Sequence, residues 1–426
     1  MKKILGVLLL LSFKAYAQND TLVLQYPMSN EPSLAVNPWN NAMVLLAFNT
    51  STLLKSTDTG KTFTPIEVKS RYGFYGDPVL GWLDSVTYGL AHLAKNKKYA
   101  WPKSFDRIVF QAGNFHNNKL THSVGIGHVS GKMQDKPWFY CEPNATGTGT
   151  SRIHITWTQF DKYDSRNKKD STRIRYSSST DNGNHFIKAK TISRQSGSCI
   201  DGDSAMEGVT ATMGSDGKLY ATWSGLNKLW FASSSDGGQN WQAVSKIGEH
   251  ENGWSINVEG AYRANGMPFI ATWKNYVVVV WAATNDSQSL VCYKTYNTTE
   301  KMWGSVHSIA SDWQNNFMPA ITVSEKGILI VYYSSKDKYE PKDNKEGIYL
   351  FQLKYALLSE QQLSGKVDAE GVTIEGTGFS TTRSPFIGDY IAVQVLNNVQ
   401  SPQALVAYCR IYGNRTTGVC VARFGF

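Results

Sequence analysis

The 426-residue chain has 43 Lys and Arg against 34 Asp and Glu, a formal charge of +9, and 41% of its residues are hydrophobic. That apolar content is enough to build a core and excludes a disordered chain, and with no nucleic-acid-binding motif the modest positive excess does not point to nucleic acid. After the first residues no stretch is apolar enough to span a bilayer, so a membrane span is also excluded.

In chain order, the N-terminus reads as a signal peptide. Lys2 and Lys3 make a positive start, Ile4 to Phe13 a short apolar run, and Ala15-Tyr16-Ala17 a small-x-small cleavage site. Residues 1–17 are therefore expected to be removed, leaving residues 18–426 as one secreted or periplasmic domain. Losing the leader's lysines brings the charge down to about +6, still favouring an anionic partner.

A short signature then recurs, an acidic or long residue usually followed by Pro and opening an apolar strand. It stands at Glu31-Pro32, Asp77-Pro78, Lys136-Pro137, Glu207-Gly208, Met267-Pro268, Met318-Pro319 and Asp389-Tyr390. Intervals of roughly 45 to 70 residues suit four-stranded propeller blades, and Pro is tolerated at the first residue of a strand. Further strands are predicted at 152–160, 172–178 and 189–193 in the third repeat, and at 218–224, 228–232 and 244–248 in the fourth. In the fifth repeat they fall at 276–283 and 290–296.

The last repeat offers only three strands, 390–395, 404–411 and 418–424. The missing one is available at 21–27 and would remove an open sheet edge. The expected fold is all-β, a propeller of seven four-stranded blades closed by an N-terminal strand.

Three segments share the spacing Ser-x-Asp-x-Gly-x-x-aromatic: Ser56 to Phe63, Ser179 to Phe186 and Ser234 to Trp241. Ser and Asp side chains suit bonds to turn backbone, and Gly accepts positive φ. Each should lie between the third and fourth strands of its blade, away from the chemistry. These octapeptides resemble the Asp boxes, or BNR repeats, of sialidases and related propellers. The wider chain is similar to exported bacterial sialidase-like proteins through Asn30-Glu31-Pro32-Ser33, Tyr75-Gly76-Asp77-Pro78, Gln134-Asp135-Lys136, Trp157-Thr158-Gln159-Phe160 and Gly388-Asp389-Tyr390.

In propellers the loops entering strand one, and those joining strands two and three, share one face around the central channel. Glu31, Asp77, Asp135, Lys136, Glu207 and Asp389 should therefore converge there, with Arg263 and Arg383 beside them. Crowded carboxylates raise the pKa of at least one member, as a general acid requires. Glu31, Asp77, Glu207 and Asp389 are the expected catalytic residues, and Asp135, Lys136, Tyr262, Arg263 and Arg383 the expected substrate binders. The loops 95–106, 161–170 and 336–346 interleave Lys with Tyr99, Trp101, Tyr163 and Tyr339, a composition suited to an anionic sugar. Such a cluster could equally close the ring by backbone hydrogen bonds, and charged loops are often simply solvated.

The family resemblance implies a sialate carboxylate held by three arginines, and attack on the sugar by a Tyr assisted by a Glu. Arg263 and Arg383 match two of the three arginines, and Tyr262 or Tyr390 would lie nearby. The Arg-Ile-Pro motif of the first arginine is absent, since Arg152-Ile153 is followed by His154. The expected activity is therefore a glycoside hydrolase on an anionic glycan, rather than a strict sialidase.

The alternatives are a polysaccharide lyase, as in seven-bladed ulvan lyases, and a non-catalytic propeller that binds glycan or protein. A lyase base could come from His92, His116 or His122, with Arg107. No cofactor is expected, and neither HExxH, paired Cys/His spacing nor an EF-hand loop points to a metal. The protein is expected to be a monomer. Of the five cysteines, Cys409 with Cys420 and Cys141 with Cys199 are possible disulfides, and free buried thiols are the equal alternative.

Overall fold

The structure, a computed structural model, describes residues 20–26, 29–142, 150–285, 288–339, 348–382, 384–397, 399–412 and 416–426. The expected leader, Arg383 and most of the 336–346 loop lie outside the described residues.

Almost every element is a β-strand, paired with its sequence neighbour in antiparallel sheets. The first blade runs Ser33–Asn37, Asn40–Phe48, Thr52–Ser56 and Thr64–Pro65. The third runs Met133–Glu142, Arg152–Phe160, Thr172–Ser179 and Lys190–Thr191, and the fourth Glu207–Met213, Leu219–Gly225, Lys228–Ser234 and Gln242–Glu249. Parallel pairings of Ser289 with Asn315, and of Ile309 and Ala310 with Ala369 and Glu370, join the fifth and sixth blades into one ten-stranded sheet.

The innermost strands hold the molecule together. Ser33–Asn37 packs on Val79–Trp82, which packs on Met133–Glu142, and the chain of contacts passes through Glu207–Met213, Phe269–Trp273, Asn315–Ser324 and Ala392–Leu396 back to Ser33–Asn37. This closed ring of inner strands is a β-propeller. Between neighbouring blades the facing strands bury Val, Ile, Leu and aromatic side chains, and clusters such as Ile174, Tyr176, Val209 and Trp223 bridge one sheet to the next.

The last blade is completed from the other end of the chain. Asp20–Tyr26 adds to Thr416–Gly425 as its outermost strand, with Asp20 opposite Ala422 and Tyr26 opposite Thr417. Asp20 is pinned there by the Tyr408 hydroxyl at 2.6 Å and the Arg410 guanidinium at 2.8 Å.

The three Ser-x-Asp-x-Gly turns join third to fourth strands. In each, the Ser hydroxyl donates to the Asp carboxylate and accepts the Gly amide at 2.9 Å. The aromatic residues of the second and third turns pack on the preceding blade. Phe186 meets Phe110 at 5.4 Å and Trp241 meets Tyr176 at 5.2 Å. Gly238, at φ +85°, sits so close to Tyr176 that a Cβ would meet its hydroxyl at 1.9 Å. The turns are therefore contacts between blades.

Of the two cysteine readings, free thiols are the one the structure holds, at all five positions. Register explains why for Cys409 and Cys420: Cys420 lies opposite Tyr408, so Cys409 falls on the other face of the strand pair. The loop expected from Lys336 is instead the continuation of a hairpin, with Lys336 paired to Leu350 and Tyr339 to Ile348.

Candidate functional site

The repeated signature has a backbone reason. Glu31, Asp77, Lys136 and Met318 each adopt positive φ, at 54°, 49°, 46° and 49°. In the third, fourth and sixth blades the signature falls at a register shift inside the first strand, between Asp135 and Trp138, Glu207 and Thr210, and Phe317 and Ala320. Regular pleating would send adjacent side chains to opposite faces, whereas a bulge re-aims them. The third blade can thus turn both Asp135 and Lys136 into one group of charges. Proline in Lys136-Pro137 and Met318-Pro319 therefore marks a bulge within the strand rather than the strand's first residue.

These residues meet around Asp389. Its carboxylate accepts Lys136 Nζ at 2.6 Å, Arg263 Nε at 2.8 Å and Nη2 at 2.5 Å, and Asn265 Nδ2 at 3.0 Å. Its backbone amide donates to Glu31 Oε1 at 3.2 Å. Glu31 also accepts from the Asn49 amide, whose carbonyl takes the Asp77 backbone amide at 2.9 Å. Gly388 permits this approach at φ +93°, because a Cβ there would meet Glu31 Cγ at 2.7 Å. On the other side Arg263 Nη1 lies 3.4 Å from Asp201, which also accepts the Tyr163 hydroxyl at 2.7 Å. Trp254 lies under both cations, 5.4 Å from Lys136 and 5.5 Å from Arg263, and Phe386 is 5.0 Å from Arg263.

Burial and charge sort the carboxyls. Burial alone would raise Asp389, but Lys136 and Arg263 bring it down to about 2. Burial pushes Asp135 up to about 8 against the pull of Lys136, with Asp77 and Asp201 adding to the push. Burial raises Glu31 well above the usual carboxylate value, helped by Asp77 and Asp389. Burial and Asp201 do the same for Glu207. Asp389 is thus held toward its ionised form by two cations, while burial favours the neutral form of Glu31, Asp135 and Glu207. Neither Glu207 oxygen has a hydrogen-bond partner among the described residues, and the side chain is buried.

The cluster thus brings together Glu31, Asp77, Asp135, Lys136, Glu207, Arg263 and Asp389, each of which touches or electrostatically perturbs another member. Tyr390 is buried among them, and its phenol is raised first by burial and then by Asp77 and Glu31. Tyr262 stands apart, 73% exposed, with its ring edge-on to Phe386 at 6.3 Å. Arg383 falls outside the described residues.

The second-blade histidines do not gather. His92 is fully buried, bonded through Nδ1 to the Leu93 carbonyl at 2.8 Å, and lowered by burial to about 4. His116 and His122 are exposed around the outer strands of that blade, and Arg107 is engaged by Asp106. No group of three or more His, Cys, Asp or Glu among the described residues is arranged to hold a metal ion. No helix among them is long and apolar enough to cross a membrane.

Sequence reasoning missed Asn49, Asp201, Trp254 and Asn265. One signal was present for Asn265: an Asn precedes Pro by two or three residues at Asn30, Asn265 and Asn316. The other three lie in turns or connections with no repeat to mark them.

No known family profile matches the chain, and no curated protein matches its sequence. Solved structures are similar in fold. One is a polysaccharide lyase described as an ulvan lyase bound to -[GlcA(1-4)Rha3S]-, 11% identical, TM-score 0.51, covering 95% of this chain and 96% of that one. Another is the Trypanosoma rangeli sialidase in complex with sialic acid, 11% identical, TM-score 0.46, covering 91% of this chain and 59% of the sialidase. A third is YCF48 bound to a D1 peptide, 9% identical, TM-score 0.43, covering 95% of this chain and 97% of that one. At these identities the likeness concerns the propeller fold.

Proposed function

We propose that this chain is an exported enzyme that cleaves an anionic glycan by hydrolysis at the axial cluster. The observation that carries the reading is Glu207, a buried carboxyl with neither oxygen hydrogen-bonded among the described residues, whose neutral form burial favours, in the electrostatic reach of Lys136 and Arg263. Such a group can give its proton to a departing glycosidic oxygen, while a second carboxylate takes a proton from the attacking water. Asp77 is the partner we assign, since it lies in the same cluster at a strained positive φ of 49°.

Asp389 then serves to position Lys136 and Arg263 rather than to transfer protons. Arg263 spends Nε and Nη2 on Asp389, so an anionic group on the substrate would meet Nη1 in competition with Asp201, its longer partner at 3.4 Å. Exposed Tyr262 and half-buried Phe386 supply flat faces beside it.

Elimination is the second reading. It is favoured by Tyr163, whose hydroxyl donates to Asp201 next to Arg263, a phenol beside a cation that could neutralise a uronate. Burial and Asp201 raise that phenol, so Tyr163 would return a proton to the leaving group more readily than abstract one. The similarity in fold to a polysaccharide lyase accords with this alternative.

The test is a panel of anionic polysaccharides read in parallel by reducing ends and by absorbance of unsaturated uronate. Reducing ends without absorbance support hydrolysis, and both together mean elimination. Neither product from any anionic polymer would defeat the enzymatic reading.

A further inference from the structure

A cleft of about 980 Å³ lies between the connection into the second blade and that blade's loop 94–107. Lys69, Arg71, Lys95, Lys97, Lys98 and Arg107 line it, and no Asp or Glu does. Lys69 faces only the exposed Glu67 at 3.1 Å, and Arg107 is paired with Asp106. Arg71, Lys95, Lys97 and Lys98 have no carboxylate partner among the described residues. Unpaired cations gathered in a cleft repel one another and focus a positive field outward, which draws in and retains an anion.

The walls are built rather than loose. The Tyr72 ring is held between two guanidiniums, Arg71 at 4.6 Å and Arg107 at 4.4 Å, which sets both forks in place. The Lys95 amide donates to the Tyr72 carbonyl at 2.9 Å, and the Arg71 amide to the Ser123 hydroxyl at 3.3 Å. Gly73, at φ +76°, lets the two segments touch, since a Cβ would meet the Lys95 carbonyl oxygen at 2.5 Å.

The cleft also has a physical path to the axis. Lys95, Asn96 and Lys97 form its common wall with a second hollow lined by Tyr75, Tyr99 and Trp101. Trp101 is 60% exposed, and its ring meets Tyr163 edge-on at 5.3 Å. Tyr163 donates to Asp201, and Asp201 faces Arg263. Cations, then flat aromatic faces, then the axial charges follow one another across the loops of the second and third blades.

We propose that this basic cleft is a remote subsite for an anionic polysaccharide, gripping charged groups several sugars away from the axial cluster. Resting on the glycan reading above, it narrows the substrate to a polymer with anionic groups on successive sugars, rather than a single anionic sugar at a chain end. Carboxylates and sulfate esters offer the cleft the same chemistry. A nucleic acid would also bring phosphates, but the aromatic hollow and its continuity with the axis favour a sugar chain.

The test is affinity electrophoresis of the full mature chain through gels containing polygalacturonate, dextran sulfate or neutral dextran, with a single-stranded DNA oligomer as competitor. The parent should be retarded by at least one anionic polymer and not by neutral dextran, with retardation falling as salt rises. Arg71→Gln combined with Lys95→Gln should weaken that retardation by about tenfold or more. Lys97→Glu with Lys98→Glu, at fully exposed positions, should do the same and guards against a folding defect in the first variant. Which polymer retards the parent separates carboxylate from sulfate ester as the preferred group. No retardation by either anionic polymer, unchanged retardation in both variants, or displacement by DNA at equal charge would overturn the proposal. Glu207→Gln should leave retardation intact. Retardation lost in the cleft variants without turnover of any polymer would defeat the enzymatic reading while leaving the cleft's role in place.

Discussion

Acidic residues occupy two kinds of place in this propeller, the turns at the rim and the cluster at the axis. At the rim, Asp236 accepts the Asn240 amide and side chain at 2.8 Å each and the Ser234 hydroxyl at 2.8 Å, and these bonds hold it down to about 2. At the axis, burial pushes Asp135 up to about 8 and raises Glu31 and Glu207 well above their usual range. The residue type is the same and the supply of donors is not. A carboxylate satisfied by its own turn has no proton to offer, whereas a buried and crowded one keeps a proton it can give away.

The sharpest test of the contrast is Glu207→Gln, which preserves size and removes the titrating proton. On a polymer the parent cleaves, turnover should fall by about 10²–10⁴-fold with little change in half-saturation. Unchanged turnover would remove Glu207 from the chemistry. Lys136→Met comes next, since it strips one of two cations from buried Asp389. Breaking a buried pair leaves an uncompensated charge, and a loss of about 3 kcal/mol is expected by denaturant titration. A loss below the error of the titration would mean that Arg263 alone suffices.

The third test uses pH, where the two regions should respond with opposite signs. Asp135 keeps its proton in the folded state up to about 8 and would release it near 4 when unfolded. It therefore contributes stability that is present in acid and lost as pH rises between those values. Asp135→Asn should raise the melting temperature at pH 8, while at pH 4 variant and parent melt together. The rim aspartates behave the other way: turn hydrogen bonds depress them in the folded state, so they stabilise above about pH 4 and lose that contribution as pH falls, for Asp236 through about 2. A parent protein whose stability at pH 8 was unaffected by Asp135→Asn would refute the buried-proton account.

The smallest expected effect is at the rim. Asp181→Ala removes bonds to Ser179 and His185 at an exposed turn and should cost about 1 kcal/mol. Turnover or glycan retardation measured well below the melting point should be unchanged. Loss of either at full stability would overturn the separation of rim from axis.

Much of this arrangement could be read from the chain alone because it repeats. The strands of the third and fourth blades were anticipated to within a residue or two at most ends, since apolar runs bounded by turn residues recur with the signature. The outermost strands were harder. Lys190–Thr191 has only two residues in strand pairing, where a longer run at 189–193 was expected, because little apolar patterning survives at the exposed edge. The convergence of Glu31, Asp77, Lys136 and Asp389 followed from propeller geometry, but their pairing did not. Nothing in the letters says that Lys136 and Arg263 would share Asp389, or that Asp201 would bring in Tyr163. Those contacts join residues far apart in sequence through connections that carry no period. The choice between a Cys409–Cys420 bridge and free thiols stayed open in the sequence for a simpler cause: a shift of one residue in register moves a side chain to the other face of a sheet.

The clasp at the last blade has a consequence for how copies of this protein meet. Residues 20–26 lie against residues 416–425, so the pair that closes the ring is among the most distant in the sequence. Until that strand docks, Thr416–Gly425 presents a bare row of amides and carbonyls to anything extended. The matching strand of a second copy offers the same side chains and the same register. Two rings could therefore exchange their N-terminal strands with no new contact chemistry at all, at a frequency set by protein concentration during refolding. Dilute refolding would favour each ring closing on itself, and concentrated refolding would yield interlinked pairs that separate only on unfolding.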